Sequence, residues 1–517
     1  MRRGAALAAA IWLSCTAVPI RAEQPLSAID WLSDRTAPLI THRDLDRMRD
    51  GRANPTTSGR LTLAVEVAPL GDTIEADAVG LVPARVSGLP AELWSGSTAQ
   101  ELIALLRERR VARLPAMQRL LYTLLLAEAE PPAQPGQHNA FLRARVEKLI
   151  DLGALDPALA LLERADPQRP GLFDLWFDAS LLAGQEDAAC ATLRDKSHLT
   201  RSHAARIFCA ARGGNWATAA VMFDGAAALG LLSDDEETLL AWFLDPELFH
   251  GVEAPPPPHQ PSPLLFRLRE AVGEPLATNT LPRAYAVSDL RGTAGWKAQL
   301  TAAERLARTG ALPENRLLGI YTQRAPAASG GLWDRVAALQ AFDAAMRARD
   351  TDAIAETLPV VWIAMQSVEL EVPFATLYAA RRSRLDLSGA TAELAYEIAL
   401  LGPEYETAAR TTGASRAGLA FLGGLARGTP ALPQATGPLE RAIARGFAAD
   451  AAPESIASAA REARLGEAIL TAMRQYEEGV QGNLSQVSES LATFRAAGLE
   501  DIARSAALQL LLLRPRL

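Results

Sequence analysis

Cysteine, lysine and histidine are scarce in this chain of 517 residues, which has three cysteines, six histidines and only three lysines (Lys148, Lys196, Lys297). The sequence contains no Cys-x-x-Cys pair, no His-Glu-x-x-His and no Gly-x-x-x-x-Gly-Lys phosphate loop. Acidic residues outnumber basic ones by 60 to 52, and this balance argues against a nucleic-acid partner, because phosphate binding needs a basic surface. We therefore expect no cofactor, no metal ion and no catalytic activity.

Long hydrophobic runs are also missing, and the longest, Ala5–Val18, is too short to span a bilayer. Two arginines precede it, and Ala22 follows at a position that fits signal-peptidase cleavage. Lipoprotein processing at Cys15 is disfavoured because Trp12 stands where a small aliphatic residue is normal. We expect residues 1–22 to be a signal peptide and the mature protein to be periplasmic or secreted, without a membrane span.

After cleavage two cysteines remain, Cys190 and Cys209, each on a predicted helix. The turn between these helices centres near residues 196–201, so an antiparallel pair places the two cysteines at about the same height. In an oxidising compartment this spacing allows a disulfide. The alternative is two small buried thiols in a helix interface. The sequence leaves both interpretations open.

Composition divides the mature chain into four parts. Residues 23–96 form a polar N-terminal segment followed by an irregular strap, in which Leu61–Val67 alternates like a short β-strand and frequent Gly and Pro then forbid a long helix. Residues 97–245 and 264–517 carry helical patterns and are predicted to be two arms. The proline-rich residues 246–263 are predicted to be the linker between them.

Capping signals suggest where several helices begin. Ser97 with Gln100 predicts a capping box, and Ser233 before four acidic residues predicts another helix start. Near the C-terminus the pattern predicts one long helix over residues 453–475.

Three glycines, Gly153, Gly184 and Gly214, break consecutive helical patterns at intervals of 31 and 30 residues. Five residues after each glycine stands an alanine, and nine residues after it a large apolar residue. Such a small residue one turn before a bulky one lets the next helical hairpin approach closely. Hairpins repeated at this period predict an all-α fold built as an α-solenoid, with the irregular or β strap near its N-terminus. The residues concerned are Ala158, Ala189 and Ala219, and Leu162, Leu193 and Phe223.

These offsets resemble the second half of a tetratricopeptide (TPR) repeat over residues 142–229. Ala165 and Ala226 match that repeat's further alanine, and Asp166-Pro167 resembles its closing Asp-Pro. The expected small residue of the first helix is absent, and the period is shorter than 34 residues, so the repeats are TPR-like. The resemblance implies a curved array whose concave face binds peptides or proteins.

The loop over residues 321–335 combines aromatic, basic and glycine residues. In one interpretation Arg324 and Arg335 hold a carboxylate while Tyr321 and Trp333 stack on a ligand. In the other, Trp333 anchors the start of a helix and the neighbouring glycines form a turn.

Taken together, these features favour a non-enzymatic scaffold that binds a protein or peptide of the bacterial envelope in a solenoid groove. One alternative is an accessory subunit that regulates an envelope-polymer enzyme. A second alternative is an enzyme whose site lies at the 321–335 loop.

Overall fold

The computed structural model describes residues 75–108, 114–134, 136, 138–252, 255–382, 387–411, 417–449 and 453–513. These residues form helices, turns and two isolated β-bridges, without a β-strand, so the all-helical class is confirmed for them. The predicted signal peptide and the predicted strand Leu61–Val67 lie outside the described residues. No helix in the described ranges has the length and apolar character needed to cross a membrane.

Twenty-three helices longer than one turn occur in the described residues. The first ten are α1 (Ala99–Glu108), α2 (Pro115–Leu126), α3 (Ala140–Leu152), α4 (Leu155–Arg164), α5 (Phe173–Ala183), α6 (Asp187–Asp195), α7 (His203–Arg212), α8 (Trp216–Ala228), α9 (Asp234–Leu244) and α10 (Pro263–Ala271). The next seven are α11 (Trp296–Ala307), α12 (Glu314–Thr322), α13 (Leu332–Ala348), α14 (Thr351–Gln366), α15 (Glu371–Arg382), α16 (Gly389–Leu401) and α17 (Tyr405–Thr411). The last six are α18 (Ala417–Ala426), α19 (Pro438–Ala448), α20 (Glu454–Arg461), α21 (Leu465–Val480), α22 (Leu484–Ala496) and α23 (Glu500–Leu512).

The three repeated glycines separate the helices of three hairpins, α3–α4, α5–α6 and α7–α8. Gly153, Gly184 and Gly214 all have left-handed backbone, with φ of +82°, +74° and +82°. Glycine reverses the chain there without the strain that a Cβ would bring. The alanines five residues later, Ala158, Ala189 and Ala219, are fully buried. The repeated positions therefore carry the turns and close contacts expected of them, whereas the TPR-like arrangement stays a prediction.

Two predictions of helix ends are wrong, and the reason in both cases is a contact with a distant part of the chain. The capping box of α1 uses Thr98 and Glu101, because Ser97 donates its hydroxyl to Glu467 at 2.8 Å instead. The long helix predicted over 453–475 is interrupted between α20 and α21, where Ala463 has φ +56°. The carbonyl of Ala463 accepts a hydrogen bond from the Gly96 amide at 2.9 Å. The helix start predicted at Ser233 is confirmed, and there Ser233 forms a capping box with Glu236.

The strap before α1 is held by one buried guanidinium. Arg145 of α3 is 1% exposed and donates to the carbonyl oxygens of Leu125 and Ala127, at the end of α2, and of Asp77 and Val79, in the strap, over 2.8–3.3 Å. Burial lowers the pKa of Arg145 to about 10, and the charge of the nearby Asp77 carboxylate opposes that shift. A single side chain thus joins the strap, α2 and α3.

The two ends of the described chain pack against each other. Gln509 of α23 accepts a hydrogen bond from the amide of Ala116 at 2.8 Å, across a separation of 393 residues. Farther along the same two helices, Arg119 pairs with Asp501 at 2.9 Å. The strap also reaches α21, where a Cβ at Gly466 would lie 2.2 Å from the Trp94 ring. The helices therefore close into a continuous body.

The proline-rich residues connect helices that share one hydrophobic core, since Leu240 and Leu264 belong to the same buried cluster. A second buried cluster runs from Ala286 to Leu401. Glu186, before α6, is fully buried and accepts a hydrogen bond from Arg267 of α10 at 2.8 Å. This ion pair joins the helices before the proline-rich residues to those after them.

Replacing Arg145 tests how much the strap depends on it. We expect Arg145→Ala to lower the free energy of unfolding by about 3–5 kcal/mol, because four buried carbonyls lose their donor and the Asp77 carboxylate loses a nearby positive charge. Arg143→Ala is the matched control, since that side chain is 41% exposed and pairs weakly with Glu147 on the same helix; its cost should stay below about 1 kcal/mol. Equal losses in urea unfolding would contradict this account.

Cys190 and Cys209 form a disulfide between α6 and α7, with their Cα atoms 4.8 Å apart. The bridge spans 19 residues, so replacing both cysteines by serine should lower the free energy of unfolding by about 3 kcal/mol. Thiol labelling of the denatured, unreduced protein should detect no free thiol at these positions. Full labelling without reductant would show that the bridge does not form.

Candidate functional site

A pocket lies where α2 and α23 meet helices from the middle of the described chain. It is lined by α2, by the turn between α11 and α12, by the start of α15, by the end of α16 with α17, and by α23. Its cavity volume is about 150 Å³, roughly ten times the space that one water molecule needs. We call it the central pocket. It draws its walls from parts of the chain that are far apart in sequence.

The walls of the central pocket combine proline and aliphatic surface with polar side chains. Short loops and helix ends supply this surface, since prolines occur at the first turns of helices. The apolar lining residues include Pro115, Leu312, Pro313, Val372, Pro373 and Pro403. The polar lining residues include Gln118, Arg119, Thr309, Thr376, Ser505 and Gln509. An apolar pocket with a few polar groups is typical of ligand sites.

Tyr122 of α2 contributes a hydroxyl group without a hydrogen-bond partner among the described residues. The residue is 3% exposed and lines the pocket. Burial raises the pKa of Tyr122, so the hydroxyl stays protonated and can donate. A buried donor without an acceptor costs about 1–3 kcal/mol. A ligand that brings an acceptor oxygen would recover this cost.

An ion pair closes one side of the pocket. The guanidinium of Arg119 donates to Asp501 at 2.9 Å and to Ser505 at 3.0 Å. The hydroxyl of Tyr405 donates to the other oxygen of Asp501 at 2.6 Å. Burial, and then the Asp501 charge, raise the pKa of Tyr405. Because Asp501 is exposed, we expect this network to fix the geometry of α2, α17 and α23 more than to add stability.

The lining of the central pocket offers apolar surface and groups that can form hydrogen bonds. No histidine or cysteine is among the described residues that line it, and its one carboxylate is that of Glu314. No group of three or more His, Cys, Asp or Glu side chains suited to a metal ion occurs in the described residues. The arrangement can hold a ligand through apolar contact and hydrogen bonds.

The loop over residues 321–335 lies elsewhere, and its polar residues contact the protein. Arg335 donates two hydrogen bonds to Glu304, at 2.8 and 3.0 Å, and the Tyr321 hydroxyl donates to the same carboxylate at 2.5 Å. Tyr321 is fully buried and Glu304 is 4% exposed. Burial and the Glu304 charge raise the pKa of Tyr321 well above its ordinary value.

The two remaining residues of this hypothesis are also placed by the structure. The Trp333 ring lies 5.2 Å from the ring of Trp296, while Arg324 is exposed and its carbonyl accepts from Gln340 at 2.7 Å. These contacts favour the interpretation in which the loop is structural. Ligand binding by the loop stays a prediction.

Sequence reasoning missed both Glu304 and the central pocket. Glu304 had a signal, because Leu300, Ala303 and Ala307 share its helix face at helical spacing, which places a carboxylate on the buried side of α11. No single segment of the sequence carries a signal for the central pocket. Comparison of the chain with family models, with curated proteins and with solved structures gives no match.

The unsatisfied hydroxyl of Tyr122 can be tested without a ligand. We expect Tyr122→Phe to raise the free energy of unfolding by about 1 kcal/mol, because it removes a buried donor that has no acceptor. Tyr476→Phe is the matched control. Tyr476 is also fully buried, but its hydroxyl donates to the carbonyl of Ala506 at 3.0 Å, so this variant should lose about 1 kcal/mol. Destabilisation of both variants would show that Tyr122 already has a partner.

Proposed function

We propose that this chain is an exported, non-enzymatic binding protein that holds a peptide segment of a partner protein in the central pocket. The observation that carries the proposal is Tyr122, which lines a pocket of mixed apolar and polar surface and whose buried hydroxyl has no partner among the described residues. A peptide matches both the hydroxyl donor and the apolar walls, since its carbonyls accept hydrogen bonds and its side chains cover apolar surface. Such matching of a few polar groups within an apolar cleft gives a site its orientation and specificity.

The proposed export rests on the N-terminal sequence and is supported by chemistry within the fold. The disulfide of Cys190 and Cys209 suits an oxidising compartment, because cytosolic reductants keep such thiols reduced. We further propose that the hairpins α3–α8 form a TPR-like solenoid segment and serve as the frame that places α2 and α11 around the pocket. In this arrangement the peptide of the partner enters the central pocket beside α2 and α11.

The pocket can be blocked at Thr376 of α15, which lines it and whose hydroxyl bonds to the carbonyl of Val372 at 3.0 Å. Thr301 of α11 offers a matched control, since it makes the same bond to Lys297 at 3.0 Å but is exposed and outside the pocket lining. Tryptophan at position 376 adds bulk inside the cavity, whereas tryptophan at position 301 adds it to solvent.

The protein without residues 1–22 should enrich a consistent family of apolar sequences from a displayed random-peptide library. A synthetic peptide of that family should bind in calorimetry, Thr376→Trp should weaken binding at least about tenfold, and Thr301→Trp should leave it unchanged. Tyr122→Phe should also weaken binding although it stabilises the fold. Failure to enrich any family, or equal binding by Thr376→Trp, would reject the central pocket as a peptide site.

A further inference from the structure

A second surface, on the outside of α8, combines exposed apolar side chains with acidic charge. Nine large hydrophobic residues are strongly exposed among the described residues, and five of them fall between residues 213 and 266. Four belong to α8 and the turn that follows it. They are Trp216, Val221, Leu229 and Leu231, with exposures of 48%, 72%, 73% and 46%. Large exposed apolar side chains concentrated on one element are typical of interaction sites.

The pattern of α8 shows which of its faces is uncovered. Ala219 and Ala226, seven residues apart, are buried against the protein. On the opposite side Ala217, Val221 and Ala228 are exposed at spacings of four and seven residues. These residues therefore form a single outward stripe. Small residues beside Val221 leave room for another helix to approach closely.

The stretch of sequence that contains this stripe carries charge of one sign. Residues 213–266 contain eight acidic residues and no lysine or arginine. Asp224 is exposed within the stripe, Asp234 and Glu237 lie at the start of α9, and Asp245 lies at its end. Because α9 follows α8 through a short turn and packs against it, these acids flank both ends of α8. The nearest arginine in the sequence, Arg212, is paired with Glu186 and Asp187. The guanidinium of Arg194 lies beside Gly213, before the start of α8.

We propose that this surface, the α8 face, binds a cationic amphipathic helix of a partner protein. An apolar stripe takes the apolar side of such a helix, and flanking carboxylates attract its lysines or arginines. A second copy of this chain fits poorly, because two such faces would bring their acidic residues together. An anionic membrane surface is repelled for the same reason. The lining of the central pocket includes no residue of the α8 face, so this inference is independent of the proposed function.

The probe is a labelled synthetic peptide of leucine and lysine patterned at 3.6 residues per turn. Two comparison peptides are a scrambled isomer and a version with glutamate in place of lysine. Fluorescence anisotropy with the protein lacking residues 1–22 should show binding of the patterned lysine peptide, weaker binding of the scrambled isomer and none of the glutamate peptide. Raising the salt concentration should weaken binding, because exposed charges are screened.

Variants then locate the binding on α8. Val221→Ser with Leu229→Ser should weaken binding by at least about tenfold. Val360→Ser with Ile363→Ser is the matched control, because these two residues are 58% and 67% exposed on α14, and this variant should change binding less than about twofold. Thr376→Trp should have no effect, which separates this surface from the central pocket. All the variants replace exposed or lining residues, and unchanged thermal melting confirms that they fold.

Three outcomes would overturn the inference. The first is equal binding by the Val221→Ser, Leu229→Ser variant and the wild type. The second is binding of the glutamate peptide as tight as that of the lysine peptide. The third is a dimer in sedimentation that the Val221→Ser, Leu229→Ser variant abolishes, since the α8 face would then be an interface between two copies of this chain.

Discussion

The pairing of α2 with α23 is the constraint on which the rest of the structure depends. The amide of Ala116 lies in the first turn of α2, where helical amides have no acceptor of their own, and the side chain of Gln509 supplies one. Arg119 and Asp501 then set the register of the two helices. Both helices form walls of the central pocket, so the pocket exists only in the closed body.

Buried charges join the other parts of this body. Arg145 ties the strap to α2 and α3, Glu186 ties α6 to α10, and Glu304 ties α11 to α12 and α13. Each is costly to bury and each is matched by a partner on another segment. Apolar packing is tolerant of small shifts, whereas a guanidinium that must meet four carbonyls is not. These contacts therefore specify which segments meet.

Much of the local structure could be predicted from the sequence, and the long-range structure could not. Glycine spacing located three helix ends, and Ser233 located a helix start, because both signals act within a few residues. Ser97 failed as a cap because Glu467, 370 residues away, takes its hydroxyl. Arg335 was predicted to hold the carboxylate of a ligand, and in the structure it pairs with Glu304. Tyr321 was predicted to stack on a ligand, and its hydroxyl donates to the same carboxylate. Periodicity within one segment carries no information about which distant segment it will contact.

The closure of the chain has a consequence for how the protein folds. Ribosomes make α2 long before they make α23, which packs against it. Until then Met117, Leu120 and Leu121 of α2, all buried in the finished protein, lack part of their cover. Contacts of such high sequence separation form slowly, because a long loop must close before they are gained. The core around α2 can therefore be completed only after α23 has been made.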